Sequence, residues 1–295
     1  MTEGTPAAPP PTPPVLPVTP PATPAVVATP AAAPPPPAKA PAPSPPAPPP
    51  RIPRSGAVQD RGVSRRDAIH ALSWSAVGMV KVSGEVDVGD IRLDGTVSIS
   101  GTILADVVRS RGTLEADGPV TVAGALATDG DFHTGGPVRA AQATLVGTTR
   151  IGGDVSVSGV LTLKGQFAAA SIHAGEVRAD GGLTVPGDIE AVDVDVRMRK
   201  DSRFGAIRAK TVRLHRTAPN PVERVFGRSP DPSVTRIEAD RVELEGVDVA
   251  FVRCPEVILG RDAHITELEG TVVRRHASAH VGPRSVSPPP YGLRR

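Results

Sequence analysis

Val82-Ser-Gly-Glu-Val86, Leu93-Asp-Gly-Thr-Val97 and Ile99-Ser-Gly-Thr-Ile103 state one phrase three times: apolar, any residue, glycine, any residue, apolar. The phrase returns as Val122-Ala-Gly-Ala-Leu126, Val157-Ser-Gly-Val-Leu161, Leu163-Lys-Gly-Gln-Phe167 and Val185-Pro-Gly-Asp-Ile189. Its glycines stand at 84, 89, 95 and 101, then at 112, 118, 124, 130 and 136, then at 147, 153, 159 and 165. A step of five or six residues matches neither the 3.6-residue helical period nor a heptad. Within each unit the apolar residues alternate, as in Val86-Asp-Val88 and Val97-Ser-Ile99, which is the period of a strand. Glycine supplies the positive φ that turns a corner between two short strands. Three such units make one coil of about eighteen residues, stacked on the next at roughly 4.8 Å. The fold expected from this stretch is all-β, a single-stranded parallel β-solenoid over residues 78–282.

Working outward from the repeat, the alternation continues with fewer glycines in Ile207-Arg-Ala-Lys-Thr-Val-Arg-Leu214 and Ile237-Glu-Ala-Asp-Arg-Val-Glu-Leu244. Between them, residues 217–233 hold Pro219, Pro221, Pro230 and Pro232 and no alternation, so a surface loop is expected there. Toward the N-terminus, Ser64 with Asp67 three residues on resembles a capping box. It predicts a short helix over 64–72 within a capping linker, 63–77. Before that, 23 of the 35 prolines of the 295-residue chain precede Ser55, and the first fifty residues carry only Glu3 and Lys39 as charges. Such a segment lacks backbone donors and bulky side chains, so residues 1–62 are expected to be a disordered Pro/Ala-rich arm, with a disordered tail over 283–295. Aromatic residues are 2% of the chain, which suits a long, thin core of Val, Ile, Leu and Ala better than a rounded one.

Several functions are not expected. A net charge of +2 and few aromatics give no footprint for nucleic acid. The lone cysteine, Cys254, has no partner for an internal disulfide and is expected in the core rather than as a nucleophile. His276 and His280 sit four apart in a basic segment, and a metal site there would need a helix to bring them to one face. Asp193 and Asp195 share a strand face, but two carboxylates fall short of the oxygen count that calcium requires. No apolar run is long enough to span a membrane, and Met1-Thr-Glu-Gly-Thr-Pro6 has neither the basic nor the apolar region of a secretory signal. The expectation is a cytoplasmic protein that is not an enzyme and needs no cofactor.

Val80-Lys-Val-Ser-Gly-Glu-Val-Asp-Val-Gly-Asp-Ile91, followed by Val97-Ser-Ile-Ser-Gly-Thr-Ile103, resembles the bactofilins, the polymer-forming cytoskeletal proteins. Ile237-Glu-Ala-Asp-Arg-Val-Glu-Leu-Glu245 with Val257-Ile-Leu-Gly260 resembles the closing segment of the longer members. The resemblance implies a right-handed β-helix that self-assembles into filaments without nucleotide, at the inner face of the membrane.

A solenoid also has two ends of unpaired strand groups, and an end that is not capped can template another copy. The candidate assembly surfaces are residues 78–101, through Val82, Val86, Ile91 and Ile99, and residues 257–273, through Val257, Ile258, Ile265 and Val273. A candidate basic patch comprises Arg197, Arg199, Lys200, Arg203, Arg208, Lys210, Arg213 and Arg216, opposed in sequence only by Asp201. It would either meet anionic lipid headgroups or be screened by neighbouring coils, and the acid-rich run from Glu238 to Asp248 favours screening. The expected partners are further copies of the chain, an anionic membrane surface, and a proline-binding partner of the arm. Two other classes stay open. One is a monomeric scaffold or adaptor capped by the 64–72 helix and the Pro-rich loop. The other is a hexapeptide-type transferase or carbohydrate-active solenoid, since Ile151-Gly-Gly-Asp-Val-Ser156 and Leu259-Gly-Arg-Asp-Ala-His264 each fit one hexapeptide unit.

Overall fold

The computed structural model describes residues 54–199, 202–217 and 232–283. They form a parallel β-solenoid of about 12 turns with about 17 residues per turn, and no helix occurs among them. Each middle turn is one strand of 14 or 15 residues that bends at its glycines rather than three separate short strands. They are β3 (Val86–Ile99), β4 (Ile103–Ala116), β5 (Val120–Thr134), β6 (Val138–Ile151), β7 (Val155–Ala168) and β8 (Ile172–Val185). Each pairs in parallel with the next, residue against residue.

That register turns the apolar alternation into continuous columns. Val86, Ile103, Val120, Val138 and Val155 stand one above the other, and all are buried. A second column runs through Ile91, Val108, Leu126, Ala143 and Leu161. The columns are mainly aliphatic, with Trp74, Phe132 and Phe167 among the few aromatic residues they bury.

A glycine ladder marks one corner: Gly62, Gly78, Gly95, Gly112, Gly130, Gly147, Gly165 and Gly181 are successive register partners. All eight have positive φ. From Gly78 onward, a Cβ at any of them would lie within 2.5 Å of the preceding glycine's carbonyl oxygen. Both the conformation and the close stacking therefore demand glycine.

The solenoid begins earlier than the repeat predicts. β1 (Ala57–Arg66) pairs with β2 (Ile69–Val82), and β2 pairs with β3. The helix expected over 64–72 is absent, and the last part of the expected arm and all of the expected linker belong to the first two turns. Ile69, Ala71, Trp74 and Ala76 all point inward and are buried. Pairing over a whole strand length outweighs the local preference of a capping box. The Pro/Ala-rich segment up to residue 53 lies outside the described residues.

After β8 come β9 (Ile189–Glu190), β10 (Asp193–Met198) and β11 (Arg203–Arg216). The chain then resumes as β12 (Ser233–Glu245), β13 (Asp248–Leu259), β14 (His264–Arg275) and β15 (His280–Val281). His215 and Glu245 are register neighbours although 30 residues apart, so β12 stacks directly on β11. Most of the expected Pro-rich loop and nearly all of the expected tail lie outside the described residues.

Candidate functional site

A solenoid offers its two ends and its lateral faces. At the N-terminal end, the inward positions of β1 are partly polar, unlike those of the turns beneath. Asp60 stands over Ala76 and Arg66 over Val82. The Asp60 carboxylate accepts 3.0 Å bonds from Arg66 Nε to both its oxygens, a 2.8 Å bond from the Arg66 Nη2, and a 2.9 Å bond from Trp74 Nε1. Burial works to raise the Asp60 pKa, but the hydrogen bonds from Arg66 and Trp74 and the Arg66 charge outweigh it and hold the carboxyl below the usual carboxylate range. Inward charge of this kind blunts a strand edge against further pairing. Beside it, Arg54 reaches along the outside of the coil, donating to the buried Asp87 at 2.7 and 2.9 Å and to Asp106 at 2.6 Å. Arg54 is thereby pinned to the flank of the third and fourth turns.

At the C-terminal end, β15 covers β14 only at His264 and Ile265. Among the described residues, 266–275 have no partner strand on their outer side. The inward Leu268 and Val272 are only half-buried, and Val273 is 63% exposed. The last half-turn is tied down by His264 Nε2 against the Gly282 carbonyl at 2.9 Å and by Arg275, which donates to the Ala279 carbonyl at 2.8 and 3.0 Å.

The expected assembly residues are placed differently from the sequence expectation. Val82, Val86, Ile91, Ile99, Val257 and Ile265 are all core residues with at most 1% exposure, and Ile258 is half-buried. Only Val273 is openly exposed. The 78–101 stretch is not an end at all, because β1 lies in front of it. A lysine at Val82 or Ile265 would bury a charge inside the core and break the coil instead of blocking a surface.

Part of the basic run is flanked by acids of the neighbouring turns, in line with the screening expectation. Arg203, Arg208 and Arg213 fall on three stretches of one turn, beside Thr184, Glu190 and Asp195. Arg208 lies 2.6 Å from Asp188, 3.3 Å from Glu190 and 3.4 Å from Glu238. Arg213 stands between Asp195 and Glu243, Arg197 faces Asp180, and His215 is 3.4 Å from Glu245. Lys200 lies outside the described residues. The register thus threads alternating charges up one face: His173, Glu190, Arg208, Glu238, Arg253 and Glu269. Each exposed pair contributes little alone, and of the basic run this column includes Arg208.

Cys254 is in the core, its thiol donating to the Glu256 carbonyl at 3.0 Å and its pKa raised by burial. Asp193 and Asp195 point outward, with Asp195 between Arg178 and Arg213. Along the glycine corner runs a shallow open groove lined by Val77, Arg92, Asp94, Arg109, Arg111 and Asp129. Arg111 stands between Asp94 and Asp129, and Arg92 stacks with Arg109, so no acids converge there. Among the described residues, no helix is long and apolar enough to cross a membrane, and no group of three or more His, Cys, Asp and Glu could hold a metal ion. Compared with family models, curated proteins and solved structures, the chain finds no match.

Proposed function

We propose that the chain is a structural protein of bactofilin type, a β-solenoid that assembles with further copies of itself without nucleotide. The observation that carries this reading is the C-terminal turn. Among the described residues, β14 combines an unpaired outer edge with half-buried Leu268 and Val272 and the exposed Val273. Such an edge is a template for another strand, and covering the two half-buried aliphatics is favourable at roughly 25 cal/mol per Å². Contact between copies therefore centres on β14, while the polar first turn makes the other end the less adhesive one. The same reading assigns the chain no catalytic step and no cofactor. It favours the cytoplasmic location that the resemblance implies.

The test is negative-stain electron microscopy of the full chain, paired with sedimentation velocity at low and high salt. Assemblies that form without nucleotide and persist in salt are the expected result. Val272→Lys is expected to reduce them to the smaller species while the far-ultraviolet circular dichroism stays unchanged, because this side chain is not fully enclosed. A chain that sediments as a monomer at high concentration, or a Val272→Lys variant that assembles like the parent, would overturn the reading.

A further inference from the structure

The first two turns carry a surface unlike any other on the solenoid. The parallel register of β1 and β2 sets Arg61 beside Val77, Val63 beside Met79, and Arg65 beside Lys81. All six side chains are exposed; Val63 is 80%, Met79 57% and Val77 49% open to solvent. They face outward because the residues alternating with them, Asp60, Ala76, Val80 and Val82, are turned into the core. The result is an exposed ridge around the Gly62–Gly78 corner, carrying three aliphatic and three cationic side chains.

Its charge is uncompensated. Among the described residues, neither Arg61, Arg65 nor Lys81 forms an ion pair, whereas Arg54 and Arg66 nearby are both committed to carboxylates. The adjoining positions on β3 are Asp94, Thr96 and Ser98, so the patch meets one acid at its far border, beside Val77. This contrasts with Arg197, Arg208 and Arg213, each of which stands beside an acid of a neighbouring turn.

Two features must be matched by whatever covers this ridge: cations without partners, and large aliphatic side chains held in water. A soluble polyanion would use the first and leave the second wet. An anionic bilayer uses both, since phosphate headgroups meet the cations and the headgroup–acyl boundary receives the aliphatics. We propose that the N-terminal end of the solenoid docks on an anionic phospholipid surface, with Val63 and Met79 entering the headgroup layer and Arg61, Arg65 and Lys81 on the lipid phosphates. This surface lies at the opposite end from β14, so the inference stands without the self-assembly reading.

The experiment is co-sedimentation of the full chain with vesicles of phosphatidylglycerol and phosphatidylcholine, against vesicles of phosphatidylcholine alone. Binding is expected only to the anionic vesicles. Replacing Arg61, Arg65 and Lys81 together by serine is expected to weaken it on the order of a hundredfold. Val63→Ser with Met79→Ser is expected to weaken it roughly tenfold and to leave a remainder that salt abolishes. All five side chains are exposed, so both variants keep the fold. Val272→Lys run in parallel should still bind, which separates this surface from assembly through β14. No binding to anionic vesicles, or equal binding by the triple variant, would overturn the proposal. Loss in the triple variant without loss in the Val63/Met79 variant would overturn the lipid assignment, leaving a site for soluble polyanions.

Discussion

Gly112→Ala is expected to cost about 3 kcal/mol or more of stability, read from the urea midpoint followed by circular dichroism. Gly112 has φ +102° and an added Cβ would sit 2.3 Å from the carbonyl oxygen of Gly95. That oxygen belongs to backbone held in the ladder by the turns on both sides, so it cannot withdraw as the tip of a flexible side chain would. Gly62 supplies the internal control. It stands at the head of the same ladder with φ +76°, but among the described residues no turn precedes it and an added Cβ meets nothing within 4 Å. Gly62→Ala therefore carries only the conformational cost of a left-handed residue, about 1 kcal/mol. Equal losses at the two sites would mean that coil-on-coil stacking is not what requires glycine at this corner.

Asp60→Ala is expected to loosen the first turn by about 2 kcal/mol, since it strips the acceptor from the buried Trp74 indole and from Arg66. Arg66 is 40% exposed, so water takes over part of its lost bonding, which keeps the figure below that of a fully buried pair. Trp74 is the chain's single tryptophan and is fully buried, so its emission reports this end alone. The variant should shift that emission to the red at neutral pH.

Acid should do the same to the parent protein. The folded carboxyl is more acidic than an unfolded one, so its stabilising effect is complete above the unfolded value near 4 and vanishes as pH falls through the lower folded value. Trp74 emission should therefore hold steady down to about pH 4 and shift below it, and Asp60→Asn should lack that step. Emission indifferent to both the substitution and acid would show that the Asp60 carboxylate does not hold the cap.

The surface that sequence reasoning passed over lies in β1 and β2. Arg61, Val63 and Arg65 were assigned to the arm and linker, where alternating charged and apolar residues carry no meaning. They become a ridge only once β1 is a strand laid against Val77, Met79 and Lys81. A usable signal was present: Ile69, Ala71, Trp74 and Ala76 are an alternating apolar set lacking only the glycine phrase of the later turns. At 197–216 the register bears on the choice between a patch and screening by neighbouring coils. A dense basic run looks like a patch when read along the chain, but its neighbours in space are residues one turn away, such as Glu190, Glu238 and Glu243.

The sequence by itself determined the parallel solenoid, because two short-range periods suffice for it. Alternation of apolar residues makes strands, and a glycine every five or six residues bends them in one sense until they coil. Those periods also decided that the core would be aliphatic and narrow. Only the tertiary structure decided where the coil begins, which end is closed and which charges survive uncancelled. Each of those depends on which residues lie side by side about 17 positions apart. That offset is set by the accumulated length of every corner in a turn, so a change of one residue moves each side chain to a different neighbour or to the opposite face.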